Sequence, residues 1–443
     1  MWKRVLLILA AILLVAGGLF AWLAWPEPAQ LPVEAVTGTR PKITDPREES
    51  FPIVRVPGAT GWAPGKAPTP AAGLKVAAFA RDLDHPQWLY RLPNGDILVA
   101  ETGAPGPRRG QGLFGSLAQW LGGGRTDAAS PDRIVLLRDT NGDGVAEQRF
   151  TFRSGLKSPF GMALIDDWLY VATNDALLRF AFHVGDTRLA AKPEKVMRLP
   201  SGGAHWTRSL AYDPVAKRLY VAVGSGTNIA DQGVDAEKLR ATVIELNPAT
   251  GYWRSFAAGL RNPVGMDLEP RSGRLWAVVD EREGLGGDVP PDYLTEVELG
   301  AHYGWPWAYW GGYVDPRVSA EQPDMLQYYK RPDFALGPHV TPLGLAFAPD
   351  ARLGARFANG AFVGEHGSSN RIPVSGYRVV FVPFGDKGYP AKGAKPIDVL
   401  TGFTDAAGKN AYGRPAGVIA DGKDGLLVAD DVGNVIWHVT AAR

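Results

Sequence analysis

The chain has 443 residues, of which 45% are hydrophobic and 21% charged, a composition typical of a folded protein with a large core. Its 47 basic and 46 acidic side chains leave a formal net charge of +1, so no strong positive field favours nucleic-acid binding. The sequence has no cysteine, which excludes disulfides, thiolate metal sites, cysteine nucleophiles and covalent c-type haem.

The N-terminus carries an apolar run long enough to cross a membrane. Lys3 and Arg4 precede a stretch without charged residues from Val5 to Trp25. At about 1.5 Å per helical residue, this stretch spans a hydrocarbon core of about 30 Å. A retained anchor and a cleaved signal peptide are both open interpretations of residues 1–25. Both predict that the rest of the chain lies on the periplasmic side of a bacterial-type inner membrane.

A proline-rich segment follows, with ten prolines in residues 26–72. Proline fixes φ and lacks an N–H donor, so this density disfavours helices and interrupts sheet ladders. The composition predicts a semi-extended tether that holds the next domain away from the membrane surface.

Residues 73–443 repeat one pattern six times. Each copy has a proline or small polar residue, a hydrophobic alternation, a turn with Gly or Asp, and a second alternation, which predicts two inner strands joined by a hairpin. The copies cover residues 85–101, 158–172, 207–222, 262–279, 341–364 and 414–429.

Further strand-like segments follow the pairs, as at residues 133–137 and 241–246. A single sheet of this kind leaves an apolar face exposed, and radial stacking of six sheets covers it. The sequence therefore predicts an all-β fold, a six-bladed β-propeller of four-stranded antiparallel blades, with residues 74–79 as the outer strand of the last blade. An array of immunoglobulin-like domains is disfavoured because the pairs are unevenly spaced and no linkers separate them.

Polar residues beside the inner pairs are the candidate site residues, because one end of every inner strand meets the central channel. An imidazole among arginines suits proton abstraction next to a polyanion or a developing negative charge. Rim salt bridges and strand caps are the alternative role for these arginines. The candidates are His205, Arg208, Arg261, Asn262, Glu283, Gly284, His366, Arg371 and Arg414.

Five segments together, at residues 205–208, 259–265, 280–292, 302–306 and 377–384, give a resemblance to a known family. The region from Leu74 to Val439 resembles the glucose/sorbosone dehydrogenase family, and in particular its L-sorbosone-dehydrogenase-like branch. The resemblance implies a six-bladed propeller that uses pyrroloquinoline quinone (PQQ).

The same resemblance implies roles for individual residues. His205 would be the general base, Arg261 and Asn262 would hold the quinone and substrate oxygens, and Arg414 would hold a cofactor carboxylate. A calcium ion would join the quinone to backbone carbonyls, here at Glu283 and Gly284. The remaining cofactor-binding candidates, chosen for their position beside the inner pairs, are Arg208, His366 and Arg371.

The sequence also departs from the soluble glucose enzymes of that family. Ala204 stands where they have an acidic residue before the base, and His366 lies near the position of a lysine. These departures argue against glucose as the preferred substrate. Because the chain has no cysteine for a c-type haem, electrons are expected to pass to a separate acceptor, either a membrane quinone or a cytochrome.

A second metal candidate is the loop that begins at Asp139. Its Asp-x-Asn-x-Asp-Gly spacing is able to set alternate oxygens around a calcium ion at about 2.3–2.6 Å, while a plain hairpin turn accounts for the same glycines. Phe150 stands where a full calcium loop has its acidic twelfth residue. The candidate ligands of this structural ion are Asp139, Asn141, Asp143 and Glu147.

Two apolar groups have more than one interpretation. An insertion with the helical spacing of Leu113, Phe114, Leu117, Trp120 and Leu121 would contact lipid, close over the channel or pack on a neighbouring loop. The aromatic residues Trp305, Trp307, Tyr309 and Trp310 would line a sugar or quinone pocket or pack between blades.

The sequence therefore predicts an exported, membrane-anchored quinoprotein dehydrogenase that oxidises a sugar or a sorbosone-like sugar aldehyde. Two alternatives remain at this stage: a calcium-dependent hydrolase of the lactonase type, and a propeller that only binds a polymer or protein. The arginine-rich set of channel candidates favours the dehydrogenase over a carboxylate-lined calcium site.

Overall fold

A computed structural model of the chain describes residues 2–23, 28–49, 56–104, 130–319, 323–348, 352–368, 370–423 and 425–442. The insertion predicted to be an apolar helix, residues 113–121, lies outside these ranges. The chain begins with helix α1 (Trp2–Leu23), which is followed by strands β1 (Gly58–Ala59), β2 (Thr69–Pro70) and β3 (Leu74–Ala80). The stretch Trp2–Phe20 is exposed and is long and apolar enough to cross a membrane, a property that signal sequences share.

Six antiparallel sheets make up the body of the protein, as the repeats predict. Blade 1 contains β4 (Pro86–Arg91), β5 (Ile97–Glu101), β6 (Arg133–Arg138) and β7 (Gln148–Ser154). Blade 2 contains β8 (Met162–Ile165), β9 (Trp168–Ala172), β10 (Ala176–Ala181) and β11 (Glu194–Arg198). Blade 3 contains β12 (Leu210–Asp213), β13 (Arg218–Val223), β14 (Thr242–Leu246) and β15 (Trp253–Ala258).

The other three blades carry the additions to the basic plan. Blade 4 has β16 (Asn262–Leu268), β17 (Leu275–Asp280), β18 (Pro291–Glu296), an inserted hairpin of β19 (Ala308–Tyr309) and β20 (Tyr313–Val314), and β21 (Phe334–Pro338). Blade 5 has β22 (Pro342–Phe347), β23 (Gly360–Glu365), β24 (Arg378–Pro383) and β25 (Ile397–Thr401), and blade 6 follows β26 (Asn410–Ala411) with β27 (Pro415–Ala420), β28 (Gly425–Asp430) and β29 (Val435–Ala441). Short 3-10 helices lie at Val33–Val36, Val234–Glu237, Pro323–Tyr328 and Ala355–Phe357.

Strand β3 closes the ring, as predicted from the sequence. β3 pairs antiparallel with β29 and becomes the outer strand of blade 6, so the two ends of the propeller share one sheet. The inner strands also contact one another in sequence around the ring, and β27 of blade 6 contacts β4 of blade 1. The fold is therefore the predicted six-bladed propeller.

Six apolar clusters hold the blades together, one at each interface between neighbours. Strand β28 shows how the sequence supports two interfaces at once. Leu426 and Val428 belong to the cluster with blade 5, whereas Leu427 and Ala429 belong to the cluster with blade 1. Because side chains alternate between the faces of a strand, a continuous apolar run fills both interfaces.

Glycines in the inner strands let neighbouring blades approach closely. A Cβ on Gly265 of blade 4 would lie 2.7 Å from the backbone N of Leu345 in blade 5, and one on Gly417 of blade 6 would lie 2.8 Å from the carbonyl of Gln87 in blade 1. The glycine of the repeated Pro-x-Gly phrase is therefore a packing requirement of the ring.

The proline-rich segment is part of the folded surface over its described length, which corrects the expectation of a tether without sheet pairing. Strand β1 pairs with β26, and β2 extends blade 5 beside β25. Gly38 exchanges two backbone hydrogen bonds with Ala335 of blade 4. Proline removes donors only at its own positions, so the residues between prolines still bond to the propeller.

Candidate active site

The site residues collect at the end of the propeller where each inner strand begins, which we call the upper face. Antiparallel order brings two sets of loops there: those before the inner strands and those after the second strands. His205, Arg261, Asn262 and Arg414 precede or open inner strands. Glu283, Gly284, His366 and Arg371 follow second strands. The sequence-predicted candidates for the base and the cofactor therefore share one face.

His205 is held in one tautomer by Ser225. Its Nδ1 lies 2.9 Å from the Ser225 carbonyl and 3.0 Å from Ser225 Oγ. The hydroxyl of Ser225 donates its proton to the carbonyl of Thr227, so both neighbours of Nδ1 are acceptors. This network assigns the ring proton to Nδ1 and leaves the lone pair of the neutral imidazole on Nε2.

Arg208 supports the loop that carries His205. The buried guanidinium donates to the carbonyls of His205 at 3.0 Å, Thr207 at 2.7 Å and Pro200 at 2.6 Å. Burial lowers its pKa to about 9. Because these donors bind backbone carbonyls, Arg208 positions the loop. Its Nε is buried and has no partner among the described residues, and cofactor binding by Arg208 stays a prediction.

Arg261 and Asn262 meet a carboxylate that the sequence analysis did not select, Asp280 at the end of β17. Nη1 of Arg261 donates to Asp280 Oδ2 at 3.0 Å, and Asn262 Nδ2 approaches the same oxygen at 3.4 Å. His205 Nε2 lies 3.9 Å from it. Asn262 pairs in register with Asp280, and this pairing is the signal in the strand pattern that would have identified it.

A glycine packs two of these side chains together. A Cβ on Gly224 would lie 2.7 Å from Cβ of His205 and 3.1 Å from Cγ of Asn262. Any larger residue would push the imidazole and the amide apart. Burial raises the pKa of Asp280, and the guanidinium of Arg261 opposes this shift.

The backbone at Glu283 and Gly284 is already occupied by protein donors. The Glu283 carbonyl accepts hydrogen bonds from Arg317 Nη1 at 2.7 Å and Asn228 Nδ2 at 2.9 Å, and the Gly284 carbonyl accepts one from Glu49 N at 3.2 Å. A carbonyl oxygen has two lone pairs, so the Glu283 carbonyl has none left for a calcium ion, whereas the Gly284 carbonyl still has one. The Glu283 carbonyl therefore does not fit the calcium site that the family resemblance implies, and calcium binding at Gly284 stays a prediction.

Arg371 binds the proline-rich segment and blade 4. It donates to the carbonyls of Gly287 at 2.9 Å and Leu31 at 3.0 Å, and it is 2% exposed. Its Nη2 lies 3.5 Å from Asp288, whose other oxygen accepts the backbone N–H of Gln30. These contacts give Arg371 a structural role at the upper face instead of the predicted cofactor contact.

A second polar cluster joins blades 1, 5 and 6. His366 Nε2 lies 3.0 Å from Asp431 Oδ2, which also accepts a hydrogen bond from Gln87 at 2.6 Å. Arg414 donates to the carbonyls of His366 and Gly367, both at 3.1 Å. Burial lowers the pKa of His366, and Arg414 adds to this effect. Asp431 and Gln87 are further upper-face residues that the sequence analysis missed.

The candidate calcium loop lies at the opposite, lower face. It connects β6 to β7, and Asp139, Asp143 and Glu147 offer oxygens within 4.8 Å of one another. Asn141 donates to Asp143 and accepts from its backbone N–H. A cavity of about 490 Å³ adjoins this loop. The loop is therefore separate from the upper face, and calcium binding there stays a prediction.

The aromatic run after β18 is largely buried. Trp305, Tyr309 and Trp310 are each less than 5% exposed, and Trp305 Nε1 donates to the Asn228 carbonyl at 2.9 Å. The guanidinium of Arg282 lies 5.7 Å from the centre of the Tyr309 ring. Their contacts match the packing interpretation.

The fold and these side chains define a six-bladed propeller with an oriented imidazole, two arginines and a half-buried carboxylate at one face. The TrAA12-like family model matches residues 133–288 and 315–442, and the chain belongs to that family.

Sequence relatives cover parts of the chain. The aldose sugar dehydrogenase YliI of Escherichia coli K12 is 27% identical over 161 residues, which are 33% of this chain and 41% of the relative. A protein of Borreliella burgdorferi is 26% identical over 301 residues, which are 66% of this chain and 77% of the relative.

Solved structures share the fold over most of the chain. A Trichoderma reesei carbohydrate-active enzyme of family AA12 superposes with a TM-score of 0.69 at 18% identity and covers 85% of this chain and 98% of its own. The PQQ domain of pyranose dehydrogenase from Coprinopsis cinerea superposes with a TM-score of 0.66 at 18% identity, and covers 87% and 100%. These superpositions confirm the predicted propeller fold, and the family match supports the relationship that the sequence resemblance indicated.

Proposed function

We propose that this protein is a quinoprotein dehydrogenase that oxidises a sugar hydroxyl or a hydrated sugar aldehyde, with His205 as the general base. The observation that carries the proposal is the orientation of His205. Ser225 holds Nδ1 through two acceptors, so the basic nitrogen is Nε2, beside Asp280 and Asn262 at the upper face. A base must present its lone pair to the proton that it removes.

In the proposed reaction, His205 Nε2 takes the proton of the substrate O–H while the adjacent C–H bond gives up a hydride, and a carbonyl forms. PQQ, when bound, supplies an ortho-quinone that accepts the hydride. Asn262, next to His205, would orient the substrate oxygen. Both side chains pack against Gly224, which places the base and the amide close enough to act on the same substrate atom.

Two features of the upper face fit PQQ, which is planar and carries carboxylates and a pyrrole N–H. Within the described residues, Nη1 of Arg414 has no hydrogen-bond acceptor, whereas its Nε and Nη2 are bonded to carbonyls. Asn262 Oδ1 is buried and has no partner among the same residues. We assign Arg414 and Asn262 as the residues that would hold PQQ. Because the Glu283 carbonyl has no lone pair left for calcium, no step involves that ion.

The proposed substrate class is a sugar or sugar aldehyde, in line with the sugar dehydrogenases named among the relatives. Ala204 precedes the base where the soluble glucose enzymes have an acidic residue. The absence of that carboxylate supports a sorbosone-like aldehyde over glucose, because one partner for a sugar hydroxyl is missing.

The proposed location is the inner membrane, with the propeller on the periplasmic side. Helix α1 is apolar and exposed, and Lys3 and Arg4 would remain on the cytoplasmic side. Electrons would pass to a separate acceptor, a membrane quinone or a cytochrome, because the chain has no cysteine to attach a c-type haem.

The test is reconstitution of the full chain in mild detergent. PQQ binding is measured by equilibrium dialysis, and reduction of an artificial dye is followed with a panel of aldoses and sugar aldehydes. We expect turnover that depends on added PQQ and is highest with a sugar aldehyde.

Lactone hydrolysis, measured in parallel by proton release, gives the outcome for the hydrolase alternative. Lactone turnover without PQQ, or the absence of both activities in a protein that binds no PQQ, would contradict the dehydrogenase.

Arg414→Gln should weaken PQQ binding, whereas Arg356→Gln, at an exposed arginine, should not.

A further inference from the structure

We propose that Asp280 is a positioning residue that stabilises the protonated form of His205. This inference rests on the proposed function, in which His205 is the base. The first observation is geometric: Asp280 Oδ2 lies 3.9 Å from His205 Nε2, the nitrogen that the Ser225 contacts leave with the lone pair. The separation is too long for a hydrogen bond but short enough for a strong charge interaction.

The second observation is that Asp280 is fixed in place. Its Oδ2 accepts a hydrogen bond from Arg261 Nη1 at 3.0 Å, and Asn262 Nδ2 lies 3.4 Å away. Arg261 is in turn bound to the Glu281 carbonyl at 2.7 Å and to Asn228 Oδ1 at 2.9 Å. A carboxylate held from several sides keeps its distance to the imidazole through the reaction.

The third observation concerns how charge develops. When Nε2 takes the substrate proton, the imidazole becomes a cation, and Asp280 is the carboxylate facing that nitrogen. The pair then has opposite charges at 3.9 Å in a mostly buried site, where the interaction is stronger than in water. Asp280 therefore lowers the energy of the state that follows proton transfer and makes His205 a stronger base.

Other charged groups act on Asp280 and set the pH range of this effect. Burial raises its pKa, Arg261 opposes the shift, Glu283 adds to it, and His339 lowers it. Asp292 also interacts with Asp280 electrostatically. The guanidinium of Arg261, bonded directly to the carboxylate, favours the ionised form that the proposal requires.

The decisive test follows the titration of His205 itself in the full chain without added PQQ. Long-range ¹H–¹⁵N NMR of ¹⁵N-histidine protein reports the protonation of each ring nitrogen, and His205→Gln assigns the signal. We expect the wild-type neutral ring to carry its proton on Nδ1. In Asp280→Asn, the titration midpoint of His205 should fall by about one to three pH units, the range expected for a charge at about 4 Å.

The kinetic counterpart is the pH dependence of kcat/KM. The acidic limb should move to lower pH in Asp280→Asn, because the base stays neutral there, and kcat should fall about tenfold or more because the base is weaker. KM should change little. Asp280→Glu should restore much of the wild-type profile. Asp280→Ser tests the same loss of charge if the Asn variant folds poorly.

Asp96→Asn is the matched control. Like Asp280, Asp96 forms an ion pair with an arginine: its Oδ2 lies 2.7 Å from Arg138 Nη2. Asp96 is buried and lies on the lower face. This variant should leave the His205 titration unchanged. An unchanged midpoint in folded Asp280→Asn or Asp280→Ser would overturn the proposal and would leave Asp280 as a structural partner of Arg261. The two proposals fail separately. Full activity in His205→Ala would reject the proposed function, even if Asp280→Asn still lowered the titration midpoint of His205.

Discussion

Trp62 ties the proline-rich segment to a buried carboxylate of blade 6. Asp430 is fully buried, and its Oδ2 accepts hydrogen bonds from Trp62 Nε1 at 2.7 Å and Trp437 Nε1 at 3.0 Å. Its Oδ1 accepts the backbone N–H groups of Arg414 at 2.9 Å and Gly433 at 2.7 Å. Burial raises the pKa of Asp430 to about 6, and these donors oppose the shift.

The replacement Trp62→Phe removes one of these donors and keeps an aromatic ring. At pH 8 the carboxylate is ionised, and the loss of a hydrogen bond to a buried charge costs about 1.5–3 kcal/mol. At pH 5 the folded state holds Asp430 mostly neutral, and the same loss costs about 0.5–1.5 kcal/mol. The smaller ring adds a packing cost at both pH values. The destabilisation should therefore be larger at pH 8 than at pH 5 by about 1 kcal/mol.

Guanidinium unfolding of the full chain in mild detergent, followed by far-UV circular dichroism, measures this difference. Trp253→Phe is the control. Trp253 is 40% exposed, and its indole N–H makes no hydrogen bond to the described residues. It should change the free energy of unfolding by less than about 0.5 kcal/mol. Equal destabilisation at both pH values, or none at either, would refute the assigned contact between Trp62 and ionised Asp430.

Two further variants test the fold and its acid sensitivity. Gly265→Ala places a methyl group 2.7 Å from the backbone of Leu345 and should destabilise the protein by about 1–3 kcal/mol or more in the same assay. Gly312→Ala is the control, because the space around Gly312 is open, and it should not destabilise the protein. Equal stabilities of the two variants would contradict the packing role of Gly265. Burial lowers the pKa of His339 to about 4, so the unfolded chain takes up a proton first and stability should fall by about 3 kcal/mol between pH 6.5 and pH 4. His339→Gln should remove most of that loss, and an unchanged acid profile would contradict it.

The ring architecture was predictable because its signals are local. A strand pair and its hairpin occupy consecutive residues, so alternation and turn residues mark each of the six repeats. The closing strand β3 was also predictable, because it was the one strand-like run without a partner pair. The docking of the proline-rich segment was not predictable, because it depends on single contacts between distant residues, such as Gln30 with Asp288.

The site was predictable in its location but not in the role of each arginine. Position beside the inner pairs brought His205, Arg261 and Arg414 to one face. Hydrogen-bond partners are properties of the folded chain. The sequence therefore did not show that Nε, Nη1 and Nη2 of Arg371 all bind backbone carbonyls, whereas Nη1 of Arg414 has no acceptor among the described residues. The sequence placed Asp280 at the end of the fourth inner pair but gave it no role, because its contacts with Arg261, Asn262 and His205 exist only in the folded chain.

The most direct measurement of the central claim is a single turnover of the PQQ-loaded full chain, mixed rapidly with a reactive sugar aldehyde and followed by absorbance. His205→Ala should still bind PQQ but reduce it about 10²- to 10⁴-fold more slowly than the wild type, because the proton has no base to accept it. His183→Ala, which alters an exposed histidine on the lower face, should match the wild type. A wild-type rate in His205→Ala would contradict the account.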